Sequence, residues 1–202
     1  MANYHFTTKD FEVFNIDGLE PRMAALIDHI RPKLNNLGTH MSAFLTEHTG
    51  DVYYPHVAKH LRRKTNPPND TWVAFATHKR GYKMLPHFQI GLFGSHAFVL
   101  YGVIYESPEK ANVAELWQQK QQTLRALPED FIMKKDHMKE DYTLMRDVTD
   151  EELTAAVRRL KEVKKGELLF GKVYPPEHPA LKSDQAFINE LEETFLKLID
   201  LQ

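Results

Sequence analysis

Cysteine is absent from the 202-residue sequence, which excludes disulfide bonds, thiolate metal sites and a cysteine nucleophile. No stretch contains the roughly 20 consecutive apolar residues that a transmembrane helix needs. Residues 1–14 also lack the apolar core of a signal peptide. We therefore expect a cytoplasmic protein that makes no contact with a membrane.

A large net charge is also missing, because the formal net charge is only −2. The charges are nevertheless distributed unevenly along the chain. Between His56 and His87 there are seven lysines and arginines against one aspartate, whereas the other residues carry 19 basic and 27 acidic side chains. Such an asymmetry describes the electric field of a protein and the partners that it attracts. It directs the search for a binding site to residues 56–87.

Apolar residues at helical spacing occupy both ends of the sequence, and β-forming residues occupy its middle. The patterns predict helices over residues 8–14, 18–38, 39–50, 54–64, 107–127, 149–166 and 183–201. They predict strands over residues 71–77, 87–93, 97–105, 131–135, 142–146 and 167–174. We expect a single α+β domain over residues 1–202, in which helices cover a mostly antiparallel sheet of about five or six strands.

Individual residues refine these predictions. Pro32 is expected to kink or split its helix, and Gly38 is expected to end it. Gly94-Ser95 has the composition of a tight type II′ hairpin turn between two strands. Thr149 and Glu152 have the spacing of a capping box, which predicts the start of a helix.

The predicted helix over residues 54–64 carries the first group of candidate site residues. Lys59, Arg62 and Arg63 are spaced at i, i+3 and i+4, so they share one helical face, and His56 lies on nearly the same stripe. Arginine pairs suit bidentate contacts with phosphate or carboxylate. The face indicates either an anion-binding site or a solvated surface with intramolecular salt bridges, and the sequence leaves both open.

His56 and His60 are four residues apart, a spacing at which two imidazoles on a helix can reach one metal ion. The zinc-protease pattern places a glutamate directly after the first histidine, but Val57 occupies that position. His87 is a candidate third ligand, although no spacing fixes it. We predict no metal and no cofactor.

Residues 78–83, "HKRGYK", form the second basic segment, in the connection between two predicted strands. Gly81 allows the backbone to approach a ligand closely. Tyr82 and the nearby Trp72 offer aromatic faces that can cover the organic part of a ligand. The basic candidates in this segment are Lys79, Arg80 and Lys83. The alternative is an exposed turn whose lysines suppress edge-to-edge strand pairing.

Together the two segments predict a site for a small phosphate- or carboxylate-bearing ligand. The cluster is expected to be centred on His56, Lys59, Arg80 and His87, with Arg62 at its edge. A module that docks an acidic protein partner is the rival hypothesis. Nucleic-acid binding and a metal-assisted hydrolase are weaker alternatives, since no helix-turn-helix, RNP or zinc-finger pattern is present. No motif identifies a reaction or an oligomeric state, so the sequence does not decide whether the protein is an enzyme.

Several longer motifs follow one another along the chain, namely "PHVAKHLRR", "NPPNDTWVAF", "KRGYKMLPHFQIGL" and "IYESP". In this order they resemble the YktB-like family of uncharacterised proteins from Gram-positive bacilli and their relatives, over nearly the whole chain. The resemblance implies one compact cytosolic α+β domain and a sheet topology akin to the biotin-ligase catalytic fold. It implies no activity and transfers no catalytic residue, because the family has none assigned.

Overall fold

The β-forming residues in the middle of the chain fold into one antiparallel sheet. In the computed structural model, which describes residues 3–202, the strands are β1 Tyr54–Val57, β2 Asp70–Ala76, β3 His87–Phe93, β4 Ala97–Val103, β5 Ile132–Lys134, β6 Thr143–Leu144 and β7 Leu168–Tyr174. They lie in the order β1-β2-β3-β4-β7-β5-β6, and each neighbouring pair is antiparallel. The α+β class is confirmed, but the sheet has seven strands rather than the predicted five or six.

Helices precede the first strand, separate β4 from β5 and β6 from β7, and follow the last strand, in the order that the sequence predicts. They are α1 Thr8–Glu12, α2 Leu19–Ala25, α3 Arg31–Thr49, α4 Lys110–Gln119, α5 Gln121–Arg125, α6 Asp150–Glu162 and α7 Asp184–Ile199. Short 3₁₀ turns cover Val13–Asn15, Met145–Asp147 and Pro179–Lys182. Within residues 3–202, no helix combines the length and the apolar composition needed to cross a membrane.

The long amino-terminal helix is interrupted just before Pro32, as predicted. A π-helical turn, Leu26–Ile30, joins α2 to α3, and the proline occupies the first turn of α3. The prediction that Gly38 ends the helix is wrong, because α3 continues to Thr49 and ends at the left-handed Gly50 (φ 81°). Gly38 serves close packing instead: a Cβ at this position would lie 3.0 Å from the Cβ of Pro55.

The start of α6 follows the predicted capping box. The hydroxyl oxygen of Thr149 accepts a hydrogen bond from the backbone N–H of Glu152, and the Glu152 carboxylate accepts one from the backbone N–H of Thr149. The helix ends earlier than predicted, at Glu162. The predicted helix over 107–127 is also shorter and is divided into α4 and α5 at Lys120.

Residues 54–64 do not form the predicted helix. Their first four residues are β1, an edge strand that pairs with β2 and places Pro55 opposite Phe75. Proline fits an edge strand, since its missing N–H removes no bond from the interior of the sheet. Residues 58–63 continue as an irregular segment in which His60 is left-handed (φ 54°). Pairing with the edge of β2 outweighs the helical spacing of the basic residues.

The hairpin predicted at Gly94-Ser95 joins β3 to β4, and the backbone N–H of Phe93 donates to the carbonyl oxygen of His96. The type II′ assignment is wrong, because Gly94 does not have the positive φ that such a turn requires.

The two faces of the sheet bury different partners. On the helix face, the ring of Phe195 in α7 lies 5.0 Å from that of Phe88 and 5.9 Å from that of Phe75. Trp117 of α4 packs against Phe170 of β7 on the same face. The opposite face, called the open face below, carries a smaller apolar cluster of Phe93, Phe98, Leu100, Ile104, Ile132 and Leu169.

Two glycines on the open face allow β4 and β7 to approach closely. A Cβ on Gly171 would overlap the carbonyl oxygen of Val99, and a Cβ on Gly102 would overlap that of Leu168. Only glycine is compatible with this crossing of the strands. The central strands of the open face are therefore fixed by backbone contact as well as by side-chain packing.

Candidate functional site

A cleft of about 580 Å³ lies at the β1–β2 edge of the open face. Residues 58–63, which follow β1, form one wall, and Trp72 of β2 belongs to the sheet beneath them. Lys83 comes from the β2–β3 connection, and His137 and Met138 come from the β5–β6 connection. Three connections that are distant in sequence thus meet at one surface, which we call the basic cleft.

The chain reverses within residues 58–63 because two hydrogen bonds fix it. The backbone N–H of Ala58 donates to the carbonyl oxygen of Trp72 over 2.9 Å, which extends the β1–β2 ladder, and the N–H of Arg63 donates to the carbonyl of His60 over 3.1 Å. The His60 ring is also fixed by a side-chain hydrogen bond, in which Nε2 lies 3.1 Å from the hydroxyl oxygen of Thr71. Burial, followed by the nearby charge of Arg63, lowers the pKa of His60 to about 4.

The cations of this wall lack acidic partners. Within residues 3–202, no carboxylate oxygen lies within 4.0 Å of the side-chain nitrogens of Lys59, Arg62 or Arg63. Lys83 differs, since its ammonium group is 2.6 Å from a carboxylate oxygen of Glu106. The intramolecular salt bridges that would make the basic face purely structural are thus confined to Lys83. The helical face expected for these residues does not exist, but the irregular segment still places them along one cleft.

The two basic segments meet, although not through the predicted helix. Antiparallel pairing of β1 with β2 brings His56 to the start of the second segment, where its Nε2 lies 2.9 Å from the carbonyl oxygen of His78. The ring of Tyr82 is 5.9 Å from that of His56, and the ammonium group of Lys79 is 5.5 Å from the ring of Tyr54. All these separations are below the ~10 Å at which salt screens exposed charges.

The predicted cluster is nevertheless divided between two cavities. Arg80 lines a second cavity of about 490 Å³, formed by His78 and residues 80–85. Lys59 and Arg62 line the basic cleft, and Lys83 contributes to both cavities. A single anion therefore does not contact all the residues that the sequence grouped together.

His87 cannot serve as an anion ligand in this conformation. It is fully buried, its Nδ1 donates to the carbonyl oxygen of Leu85 over 2.8 Å, and its Nε2 accepts from the amide nitrogen of Gln89 over 2.8 Å. Burial lowers the pKa of His87 to about 4, so the ring is neutral at neutral pH. Both ring nitrogens are occupied, which corrects the expectation that His87 lies at the centre of the site.

The two aromatic candidates are bonded to each other. The indole N–H of Trp72 donates to the hydroxyl oxygen of Tyr82 over 3.1 Å, and burial raises the pKa of that hydroxyl to about 12. Trp72 lines the basic cleft, whereas Tyr82 lines the second cavity. Each cavity thus has one aromatic wall.

A carboxylate–imidazole pair was missed by the sequence analysis. Nδ1 of His137 lies 2.9 Å and 3.0 Å from the two carboxylate oxygens of Glu167, and the two side chains are only 9% and 5% exposed. Backbone N–H groups of His137 and Tyr105 donate to the same carboxylate. Burial acts to raise the pKa of Glu167, but these hydrogen bonds outweigh it and leave the pKa lowered.

Metal-ligand atoms of Asp136, His137 and Glu167 lie within 4.8 Å of one another. The short Nδ1–oxygen distances, 2.9 and 3.0 Å, favour a hydrogen bond, since two ligands of a tetrahedral ion bound at about 2.0–2.2 Å lie roughly 3.3–3.6 Å apart. The pair His56 and His60, weighed above as metal ligands, does not converge: their Nε2 atoms bind His78 and Thr71, respectively.

Two buried charged groups lie on the open face near the basic cleft. Asp70, at the start of β2, is 3% exposed, and burial raises the pKa of its carboxyl group to about 6 against the opposing charges of His137, Arg63 and Lys134. Lys134 is 2% exposed; its ammonium group donates to the carbonyl oxygen of Asp141 over 3.1 Å, and burial lowers its pKa.

Of His137 and Glu167, only Glu167 has a signal in the sequence. It is the first residue of the strand predicted over 167–174, and a carboxylate directly before a buried apolar run is itself expected to be partly buried and paired. His137 lies in a polar segment between two weakly predicted strands, and no local pattern marks it. Its position in the basic cleft depends on the fold of the β5–β6 connection.

Comparison with known proteins assigns the chain to a family. The family model described as "Domain of unknown function (DUF1054)" matches residues 6–202. A UPF0637 protein of Macrococcus caseolyticus (strain JCSC5402) is 61% identical over 201 residues, which cover 100% of this chain and 99% of the relative. UPF0637 proteins of Staphylococcus aureus, strains bovine RF122 / ET3-1 and Newman, are 51% identical over 195 residues, or 96% of both chains compared. These matches confirm the YktB-like resemblance, and the chain belongs to the DUF1054 family.

Proposed function

We propose that the basic cleft binds a small ligand that carries a phosphate or carboxylate group. The observation that supports this most strongly is the set of three cations, Lys59, Arg62 and Arg63, that line one cleft without an acidic partner in residues 3–202. Close cations repel one another, and a bound anion removes that repulsion. The planar guanidinium groups suit bidentate contacts with phosphate or carboxylate.

The size and composition of the cleft support a small ligand. Its volume of about 580 Å³ falls within the ~300–1,000 Å³ of typical small-molecule sites. Trp72 is half-buried in its wall and offers an aromatic surface for the organic part of the ligand. The chain contains 28 acidic residues in total, yet those around the cleft are either buried or already paired, as Asp70, Glu106 and Glu167 show.

Docking of an acidic protein partner is a second candidate, and one observation favours it. Leu61 in the cleft wall is 85% exposed, and Met138 beside it is 49% exposed. Apolar side chains next to unpaired cations also fit an acidic partner segment. Leu61→Ser separates the two candidates, because we expect it to weaken protein docking strongly and the binding of a small anion little.

Nucleic-acid binding stays the weaker alternative, and no convergence of histidines supports a metal-assisted hydrolase. A cytoplasmic location and a likeness of the sheet to the biotin-ligase catalytic fold also stay predictions.

Isothermal titration calorimetry with pyrophosphate and citrate tests the proposal. We expect saturable binding to the wild-type protein and at least a tenfold weaker association with the double variant Arg62→Ala, Arg63→Ala, because each guanidinium bond to an anion contributes roughly 1.5–3 kcal/mol. The matched control is Arg158→Ala with Arg159→Ala in α6, which removes the same charge from an exposed surface outside both cavities.

The double variant in the cleft is expected to fold normally, with a free energy of unfolding within about 0.5 kcal/mol of wild type, since its side chains make no bond in residues 3–202. Equal binding by the cleft variant and the α6 control contradicts the proposal. The proposal is also contradicted if neither pyrophosphate nor citrate binds to the wild-type protein.

A further inference from the structure

Glu167 and His137 form a fixed pair at the wall of the basic cleft. The carboxylate is held by the backbone N–H of His137 at 2.9 Å and by that of Tyr105 at 3.2 Å. Nδ1 of His137 donates to this carboxylate, so Nε2 is the basic nitrogen of the neutral ring. The orientation and the tautomer of the imidazole are therefore set before any ligand binds.

The Nε2 atom of His137 is available to a ligand. Among residues 3–202, no group forms a hydrogen bond with it, and the His137 side chain lines the basic cleft although it is only 9% exposed. His87 shows the contrasting arrangement, since its Nδ1 also donates to an oxygen but its Nε2 accepts a hydrogen bond from Gln89. A buried imidazole beside a cleft, with one nitrogen bonded to a carboxylate and the other without a hydrogen-bond partner in residues 3–202, is suited to proton transfer.

We propose that His137, oriented by Glu167, is the general base of a phosphodiester hydrolase whose active site is the basic cleft. This inference rests on the proposed binding of an anion and adds a reaction to it. Lys59, Arg62 and Arg63 neutralise the phosphate group and the charge that develops on its oxygens. His137 is the catalytic residue, and Glu167 is a positioning residue that acts through it.

The reaction consumes one water molecule for each ester bond. Nε2 of His137 takes a proton from the water, whose oxygen forms a bond to phosphorus. The bond from phosphorus to one ester oxygen breaks, and that oxygen leaves with the bonding electron pair and takes a proton from solvent. His137 then returns its proton to solvent. While the imidazole is protonated, the adjacent Glu167 carboxylate stabilises its positive charge.

A diester suits this cleft better than a monoester. A phosphodiester has two organic groups, and the walls offer apolar or aromatic contact through Leu61, Trp72 and Met138. The second cavity, lined by Tyr82 and Arg80, shares Lys83 with the basic cleft and offers further surface for the second group.

Hydrolysis of bis(p-nitrophenyl) phosphate tests the reaction. We expect the wild-type protein to release p-nitrophenolate and His137→Gln to lower kcat at least 100-fold while calorimetric affinity for the diester stays within threefold. Glu167→Gln is expected to lower kcat at least tenfold with KM within twofold, a split that a general loss of structure would not produce. The control is His48→Gln, which replaces an exposed imidazole on α3 outside both cavities and is expected to change nothing.

Acylation by diethyl pyrocarbonate tests the free Nε2 in the wild-type protein and needs no variant to fold. We expect peptide mapping by mass spectrometry to find carbethoxylated His137, with a rate reduced at least fivefold by saturating pyrophosphate. The exposed His48 is expected to react equally with and without pyrophosphate. His87, which is buried and has both ring nitrogens hydrogen-bonded, is expected not to react until the protein unfolds.

The outcomes separate the two proposals. If neither the diester nor pyrophosphate binds, the proposed function itself is overturned. If the diester binds but p-nitrophenolate is released no faster than by His137→Gln, binding stands and the hydrolase is overturned. Hydrolysis of p-nitrophenyl phosphate without hydrolysis of the diester rejects the diester class. A His137 that does not react, or that pyrophosphate does not protect, places Nε2 away from the anion and rejects the general base.

Discussion

The helix face and the open face of the same sheet differ in the kinds of side chain that they bury. The helix face is almost entirely apolar, and rings such as Phe75, Phe88 and Phe195 pack there between strands and α7. The open face has a smaller apolar cluster and also buries Asp70, His87, Gln89 and Lys134 in its strands. Burial of apolar area stabilises a fold, whereas burial of polar groups costs free energy unless they are paired.

The difference separates a face that stabilises the fold from a face whose buried polar groups depend on their partners. On the open face, His87 and Gln89 satisfy each other, and Glu167 is satisfied by His137 and two backbone N–H groups. Asp70 is less well compensated: within residues 3–202, no other residue donates a hydrogen bond to its carboxylate, and burial raises its pKa. Groups held in this way are characteristic of binding and catalytic sites, because their environment shifts their protonation.

Removing a ring from the helix face tests its role with the largest expected effect. Phe195→Ala leaves a cavity between α7 and the sheet, and we expect it to lower the free energy of unfolding by about 3–5 kcal/mol. Urea denaturation followed by tryptophan fluorescence measures the change. The neighbouring Leu196→Ala is the control, since Leu196 is 43% exposed, and it is expected to cost less than about 1 kcal/mol. Equal costs would contradict the assignment of the core to this face.

The close approach of β4 and β7 gives the next largest effect. In Gly171→Ala, the new Cβ would meet the carbonyl oxygen of Val99, so the strands must separate, at a cost of about 2–3 kcal/mol. The control Gly81→Ala adds the same methyl group where nothing lies within 4 Å. Thermal unfolding of both variants measures the difference. A Gly171→Ala protein as stable as the control would show that the strands do not require glycine there.

Substitution of Asp70, a buried carboxyl group of the open face, is expected to have a smaller effect that depends on pH. Burial raises the folded-state pKa of its carboxyl group from 3.8 to about 6, so between these values the folded state holds a proton that the unfolded state has lost. The free energy of unfolding therefore falls as the pH rises through this window, and the cost is fully present above it. Asp70→Asn removes the cost, and we expect it to stabilise the protein by about 1–2 kcal/mol at pH 8.

The same substitution is expected to have only a small effect at pH 3.5, where the carboxyl group is protonated in the folded state and mostly protonated in the unfolded state. Urea denaturation at the two pH values checks this. A stabilisation that is equal at both values would show that folding does not raise the pKa of this carboxyl group. A loss of stability at pH 8 would show that the carboxylate has a favourable partner in the folded state.

Local patterns predicted most of the individual elements. The capping box at Thr149 fixed the start of α6, and apolar spacing identified α7, because each depends on residues within a few positions of one another. The hairpin at Gly94-Ser95 is equally local, although its turn type was wrong. The concentration of basic residues between Lys59 and Lys83 is also visible in the sequence itself, although the structure divides these residues between two cavities.

Elements that depend on distant partners were not predictable in this way. The spacing of Lys59, Arg62 and Arg63 fits a helix, but the edge of β2 captures residues 54–57 as a strand and leaves the cations on an irregular segment. Glycine is common at helix ends, but Gly38 lies inside α3, where its lack of a side chain allows close contact with Pro55. In both cases a tertiary contact outweighs a local preference of less than about 1 kcal/mol.

Patterns along the chain suffice for the α+β class, the positions of most helices and strands, and the charge of the surface that carries the candidate site. Other features follow only from tertiary contacts: Lys83, His137 and residues 58–63 share one cleft, both ring nitrogens of His87 are hydrogen-bonded, and Glu167 orients His137. Helices, caps and turns are specified by neighbours along the chain, whereas a cleft is specified by which strand edges pair and which connections then cross the same face.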